Sequence, residues 1–504
     1  MLKILGSASQ FSQLPNRREV LRAGAISAFG LSLPLWLRLS ELQGADDEKP
    51  IDATFGCAKR VLLLYLQGAA SQFETWDPKP DAPREIKGPW GAISTVVPGT
   101  QICEKLPKMA QSIDRVALIR SMTHAYNNHS NHYTLTGYPT VDFTSETNPR
   151  DSRHHPFFGS ILDYLADQRD PGERPDVPRN IGLPYPYSQF SPFFRRAGPY
   201  GAFLGAGYDP VWTEFQGKAT KSVGRVELFD ALKKINIDDP FLGITPESRM
   251  QISSAARLRD ELTLDRFDSR RSLLEQIDDE RRRLAETEAP RNLDRFQSMA
   301  YSLMTSEKIR VALDIGREPM ELRESYGLNL FGQAVLTGRR LLEAGSKIVS
   351  VFWDEYKVVN TGWDTHFDHA TRLGDELLPG LDSALSTLLR DLESRGLLDE
   401  TLVLCLTEHG RTPRLGDEQR NGGRDHWSQA YSVLLAGAGI RRGSVLGASD
   451  QQGAFVKDRA VSPEDVLATM YHLMGVSPDT FIPDRLGRPI RLVAHGEVIR
   501  DLLA

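Results

Sequence analysis

Five short apolar runs set the reading of this chain. They are "RVLLLYLQGAAS" from Arg60, "RVALIRSMTH" from Arg115, "SKIVSVFWDEY" from Ser346, "TLVLCLTEHG" from Thr401 and "AYSVLLAGAG" from Ala430. Each is an apolar block, interrupted by at most one Ser, that stops at a polar or charged residue or at Gly, the pattern of a strand buried on both faces. Between the third and fourth runs, Leu377, Leu378, Leu381, Leu385, Leu388, Leu389 and Leu392 recur at helical spacing and make one apolar face. Gly396 is placed to end that helix. Buried strands alternating with amphipathic helices predict an α/β fold with a mostly parallel sheet covered on both faces. Ligands bind such sheets beyond the carboxyl ends of the strands. The loops after residues 67, 121, 354, 407 and 437 are therefore expected to converge on one edge.

The middle of the chain reads differently. Residues 143–250 are rich in Pro, Gly and aromatics and show little periodicity. Residues 251–344 are helical in pattern and strongly charged, and the run from Asp278 to Arg283 reads as a solvated helix face. Residues 143–344 are thus expected to form an irregular and helical insertion within one domain spanning 46–504. There is no internal repeat.

The N-terminus carries a separate signal. Arg17 and Arg18 precede a mildly apolar stretch, Ala23 to Leu37, that Arg38 closes. The stretch is short for a transmembrane helix. It is similar to a twin-arginine export signal, which makes residues 1–45 a signal and linker. That reading implies the twin-arginine export machinery as a partner and a periplasmic or cell-surface location. Overall composition adds little: 40% hydrophobic and 25% charged residues suit a globular chain. A formal net charge of −6 removes any reason to expect nucleic acid. Cys57, Cys103 and Cys405 are too few for a disulfide scaffold, and pairing of Cys57 with Cys103 stays open.

The candidate chemistry lies in the histidines. His124, His129 and His132 follow the second run closely, and His154 and His155 are adjacent. Elsewhere three places set a His beside a carboxylate: Asp364 with His366, Glu408 with His409, and Asp425 with His426. Mixed imidazole and carboxylate sets are the usual shell of zinc, manganese or iron. Charged groups closing a buried strand are costly unless they pair or hold a metal, so "TEHG" is the sharpest single pointer.

The stretches "SQFETWDPKPDAP", "LIRSMTH", "GAGYDP", "YGLNLFGQAVLTGRRLLEAG", "WDTH", "RGLLDETLV", "TEHGRTP", "GRDHW" and "GASDQQGA" resemble the bacterial family called domain of unknown function 1501 (DUF1501). That family is similar in turn to the alkaline phosphatase and sulfatase superfamily. The resemblance implies an alkaline-phosphatase-like doubly wound sheet, with helices on both faces and a site for one or two divalent metals, zinc, manganese or calcium. Glu408 and His409 then match a superfamily Asp-His-Gly that binds metal. Asp364, His366 and His426 match the ligands of a second metal.

The resemblance also has gaps. Gln67 stands where the first strand of the superfamily ends in a metal-binding Asp, so Glu74 or Asp77 must bend inward or the ligand is missing. The ending Leu135-Thr136-Gly137 puts Asn127 at the nucleophile place, and Asn is no nucleophile. Metal-activated water is the alternative attacker, with His124 or His129 moving protons and Arg411 holding an anionic oxygen. Arg411 suits a buried ion pair equally well. The expected site is therefore Glu74, Asp364, His366, Glu408, His409 and His426 as metal ligands, with His124, His129 and Arg411 in catalysis. Two function classes follow: an exported metal-dependent hydrolase of a sulfate or phosphate ester, with a sulfated glycan among its substrates, or a non-catalytic envelope protein of the same fold that binds a partner.

Overall fold

The computed structural model describes residues 53–504 except for 141, 172, 174, 193–194, 228–232, 253–294, 296–298, 300–301, 304, 359–360 and 418–420. The expected export segment and the charge run at Asp278 lie outside the described residues.

All five apolar runs form strands of one sheet. In chain order its nine described strands are β1 (Arg60–Leu66), β2 (Val116–Met122), β3 (Asn180–Leu183), β4 (Val211–Gln216), β5 (Arg249–Ile252), β6 (Ile348–Trp353), β7 (Thr401–Leu406), β8 (Tyr431–Ala436) and β9 (Ser444–Leu446). Their order across the sheet is β9-β2-β8-β7-β1-β6-β3-β4-β5. The five runs expected from the sequence are the contiguous block β2-β8-β7-β1-β6. The pairings of β1 with β6 and β7, of β3 with β6 and β4, and of β9 with β2 are parallel.

Two expectations are corrected. β8 runs antiparallel to both of its neighbours, β7 and β2. The loop after residue 437 therefore leaves the far edge of the sheet, and the segment before Tyr431 reaches the edge where the other loops gather. Residues 180–252, expected to be irregular, supply β3, β4 and β5 to the same sheet. β3 is only four residues long with Gly182 in it, and β4 and β5 carry polar residues within them, so no apolar run marks these strands.

Alternation along β1 shows why both faces need helices. Leu62, Leu64 and Leu66 join one core with α3 (Leu330–Ala344) and α4 (Leu378–Ser394). Val61, Leu63 and Tyr65 join the other with α2 (Phe158–Arg169) and α5 (Pro463–Leu473). The short α1 (Asn131–Thr136) precedes α2. On α4, Leu381, Leu385, Leu388 and Leu392 are sealed from solvent, each burial contributing roughly 1.5–3 kcal/mol. The chain leaves α4 through Gly396 at φ +67°. α3 starts on an Asn329 cap that accepts from the Gly332 amide at 2.8 Å, and α5 on a Ser462–Asp465 capping box. Cys103 is a free, buried thiol, so the pairing with Cys57 is not made.

Candidate metal centre

The carboxyl ends of β1, β6 and β7 meet at one place. Thr407, directly after β7, donates to the Leu66 carbonyl at 2.9 Å and accepts from the Ala70 amide at 3.0 Å. That ties the exits of β7 and β1 together. Glu408 comes next and is wholly buried; its Oε1 accepts from the Gly68 amide at 2.7 Å. Gly68 has φ +107°, and a Cβ there would lie 2.3 Å from the Asp364 amide nitrogen. Only glycine lets the end of β1 pass this close to the loop carrying Asp364. Arg372 pins that loop by donating to the carbonyls of Thr361, Gly362 and Asp364.

A two-residue hairpin brings in the rest. Gly410–Arg411 pairs antiparallel with His426–Trp427, Arg411 opposite His426. His426 is thereby carried back beside His409, their ring centroids 4.6 Å apart. Gly423 makes the approach possible, because a Cβ there would lie 1.7 Å from the His366 carbonyl oxygen.

The result is a continuous cluster of two overlapping groups. Asp364, His366 and His426 each offer a ligand atom within 4.8 Å of the other two, and so do His129, His409 and His426. In the first group Asp364 Oδ1 lies 3.1 Å from His366 Nε2 and 3.3 Å from His426 Nε2. The two Nε2 atoms are 3.0 Å apart. Roughly 3.3 Å is the edge of a tetrahedron whose metal–ligand bonds are about 2.05 Å, so the spacing suits one first-row ion. In the second group His409 donates Nδ1–H to the Gly410 carbonyl at 2.8 Å. That leaves Nε2 as a lone-pair nitrogen, buried with no hydrogen-bond partner. An orphaned imidazole nitrogen is costly inside a protein, and a metal would satisfy it. Asp364, His366 and His426 therefore fit a divalent cation, and His409 Nε2 is a further ligand nitrogen beside His426.

The charges are balanced locally. His129 contacts Glu408 Oε1 through Nδ1 at 3.1 Å and Asp364 Oδ2 through Nε2 at 3.3 Å. Burial disfavours its charged form, but Asp364 and Glu408 outweigh that and lift it to about 9. Asp364 lies well below the usual carboxylate range: burial opposes ionisation, and Arg411, His129 and His366 overcome it. Burial lowers His426 to about 4 and, with His426 and His129 beside it, holds His409 well below the usual imidazole value.

The structure redistributes several expected roles. His129, expected in catalysis, stands inside the metal-type cluster. Glu408 contacts His129 rather than the adjacent His409. Asp425 contacts His366 at 2.8 Å, not the adjacent His426. Glu74 is in neither group: it pairs with Arg424 at 2.6 Å and lies 3.0 Å from His369. Asp77 is engaged by Lys79 at 2.9 Å. Arg411 is not positioned as an anion holder. Its guanidinium is wholly buried, donating to the carbonyls of Gly68, Ala69, Trp363 and Arg424 and to Asp364. His124 donates Nε2–H to the Glu408 carbonyl at 2.7 Å and accepts the Tyr126 amide at Nδ1, so both nitrogens are engaged. Burial keeps it neutral, lowered to about 4. Asn127 accepts the Ser428 amide at 2.9 Å and props that segment.

Sequence reasoning missed Arg372 and gave no role to His369, three residues from His366. It discounted Gln67, whose buried side-chain amide has neither atom hydrogen-bonded. A cleft of about 340 Å³ is lined in part by Tyr126, Asn127, Asn128, Ser130 and Glu146, so that the chain neighbours of His129, but not the cluster residues themselves, form its wall.

Fold and site together define an α/β protein with an imidazole–carboxylate cluster at the carboxyl edge of its sheet. The chain belongs to the family described as "Protein of unknown function (DUF1501)", which matches residues 58–503. No curated protein matches it. Among solved structures it is similar to the lipoteichoic acid synthase LtaP from Listeria monocytogenes, at 10% identity and TM-score 0.38, over 88% of this chain and 78% of that one. It is also similar to the PsFucS1 sulfatase from Pseudoalteromonas sp., at 12% identity and TM-score 0.35, over 85% and 70%. The phosphonate monoester hydrolase of Agrobacterium radiobacter gives 12% identity and TM-score 0.34, over 88% and 77%. These likenesses are distant, and no residue role is taken from them.

Proposed function

We propose that this protein is a metal-dependent hydrolase of a sulfate or phosphate ester. The observation that carries the reading is the cluster itself: Asp364, His366 and His426 overlapping His129, His409 and His426, with one imidazole nitrogen orphaned in its interior. A divalent metal bound there supplies Lewis acidity toward an ester oxygen. The chain's own residues do the rest. Asp364, His366 and His426 would hold the ion, with His409 beside His426 as a further ligand nitrogen. Asp425 orients His366, and Glu408 with the Gly68 amide fixes His129. Arg411 anchors Asp364 to the backbone of the β1 exit. The cleft lined by Asn128 and Ser130, the chain neighbours of His129, receives the substrate. A carbohydrate carrying the ester is the substrate type that suits a cleft of amides, hydroxyls, the exposed Tyr126 and the Glu146 carboxylate.

The test is metal content of the purified full chain after chelation and reloading with zinc, manganese or calcium, read beside turnover of p-nitrophenyl sulfate and p-nitrophenyl phosphate. Bound metal with metal-dependent turnover of either ester is expected, with both lost in His409→Ala and Asp364→Ala. Variants that hold metal as the parent does would overturn the ligand assignment. Metal binding without turnover would leave the partner-binding protein, a reading that the engaged Asn127 side chain favours.

A further inference from the structure

Arg196 is unlike the other buried arginines at this edge. Arg372, Arg411 and Arg424 all donate to backbone carbonyls. The Arg196 guanidinium makes no hydrogen bond among the described residues; its Nε is buried without a partner. Its ion pair is a loose one, Nη2 to Glu355 Oε1 at 3.6 Å, and that carboxylate oxygen has no hydrogen bond of its own. The side chain is 16% exposed, so it reaches solvent.

Its position is built rather than loose. The Arg196 amide donates to Ser188 Oγ at 2.9 Å, and the Ser188 amide donates to Asp354 Oδ2 at 2.6 Å, directly after β6. The next amide, Ala197, donates to the Glu146 carbonyl at 2.7 Å. Glu146 lines the cleft whose other members, Asn128 and Ser130, flank His129. Arg196 thus follows directly on the cleft wall at Glu146 and lies within electrostatic reach of His129, Asp364 and Glu408. Its charge is felt at both Glu146 and His129. Asp364 and Glu408 are already compensated by Arg411 and His129, which leaves Glu355 as the carboxylate facing the Arg196 fork. A guanidinium so placed is costly without hydrogen bonds, and its fork matches a tetrahedral oxyanion bidentately.

We infer that Arg196 is the anion-recognition residue of this site, taking a sulfate- or phosphate-type oxyanion in the role the sequence offered to Arg411. The binding itself stands on Arg196 alone; assigning the oxyanion to an ester substrate rests on the proposed hydrolase. Calorimetric titration of the full chain with inorganic phosphate and inorganic sulfate tests it, before and after chelation, with metal content and melting measured on the same samples. Parent protein is expected to bind at least one anion, chelated or not. Arg196→Gln should weaken that by about tenfold or more, and Arg196→Lys by less, since it keeps the charge and loses the fork. No anion binding by the parent, binding that vanishes on chelation, or Arg196→Gln equal to the parent would overturn the inference. If Arg196→Gln does not fold, Arg196→Lys with parental affinity overturns it. Anion binding that depends on Arg196 in a protein that takes up no metal would sink the hydrolase and leave this inference standing.

Discussion

His366 and His426, 60 positions apart in the chain, bring their Nε2 atoms to 3.0 Å, and both stand beside Oδ1 of Asp364. Two imidazole nitrogens repel at this distance if both present lone pairs. One proton between them, or a shared cation, turns the contact attractive. Burial and the hairpin hold the pair in place, so the arrangement is imposed by the fold rather than chosen by the two side chains. The Asp425 carboxylate, 2.8 Å from His366 Nδ1, sets the orientation of that ring from outside the cluster.

That outer contact gives the first prediction. Carboxylates that orient a metal-ligating His are worth about 10–100-fold in metal affinity. Asp425→Asn should weaken metal by that order while leaving Asp364, His409 and His426 in place. His426→Ala should cost more than His366→Ala or His409→Ala, because only His426 belongs to both groups. Equilibrium dialysis against a competing chelator ranks the four variants. Equal losses in all of them would refute the bridging place of His426 between the two groups.

Arg411 predicts a defect in folding rather than in binding. Its guanidinium bridges the exits of β1 and β7, the Asp364 loop and the hairpin. Removing one partner of a buried ion pair typically costs about 3–5 kcal/mol. Arg411→Met should therefore lower the denaturant midpoint strongly, and Arg411→Lys should recover little because lysine lacks the fork. A variant of parental stability would refute this structural role.

The sequence carried the strands well and their directions poorly. The blocks at Val61, Val116, Ile348, Leu402 and Tyr431 are legible because burial on both faces keeps them apolar but for a single Ser in two of them. An apolar block carries no arrow, so the reversal of β8 was invisible. It follows from the hairpin that returns the chain at His426. β3 is short and, with Gly182 in it, never builds a run. Clustering of His366, His409 and His426 was legible because each lies beside a carboxylate near a strand end. Who pairs with whom was not: adjacency suggested Glu408 with His409, and successive side chains along an extended segment point opposite ways. Arg411 and Arg196 look alike in sequence. What separates them is how many backbone carbonyls converge on each fork, and that is a property of the folded edge.

Export is testable without structure. Arg17 and Arg18 before the apolar stretch predict transport of the folded chain by the twin-arginine route. Replacing both with Lys should hold the protein in the cytoplasm, read by fractionation and immunoblot. Export of the double-Lys variant at the parental level would end this reading.

Glu74 gives a pH prediction away from the metal cluster. Burial alone would raise its pKa, but Arg424 and His369 overcome this and bring it from 4.5 to about 2. The carboxylate is 1% exposed, so little of that interaction is lost to solvent screening. Its folded pKa is depressed, so its contribution is fully present above about 4.5 and is lost as pH falls through about 2. The shift corresponds to stability on the order of 3 kcal/mol. Glu74→Gln should therefore destabilise the protein at neutral pH by that order, since Arg424 keeps its charge without its carboxylate. The gap between parent and variant should close as pH falls from about 4.5 toward 2, where the parental side chain is protonated too. Urea unfolding of both proteins across that range checks it. A gap that stays constant with pH would show that Glu74 stabilises the β1 loop by packing and not by its charge.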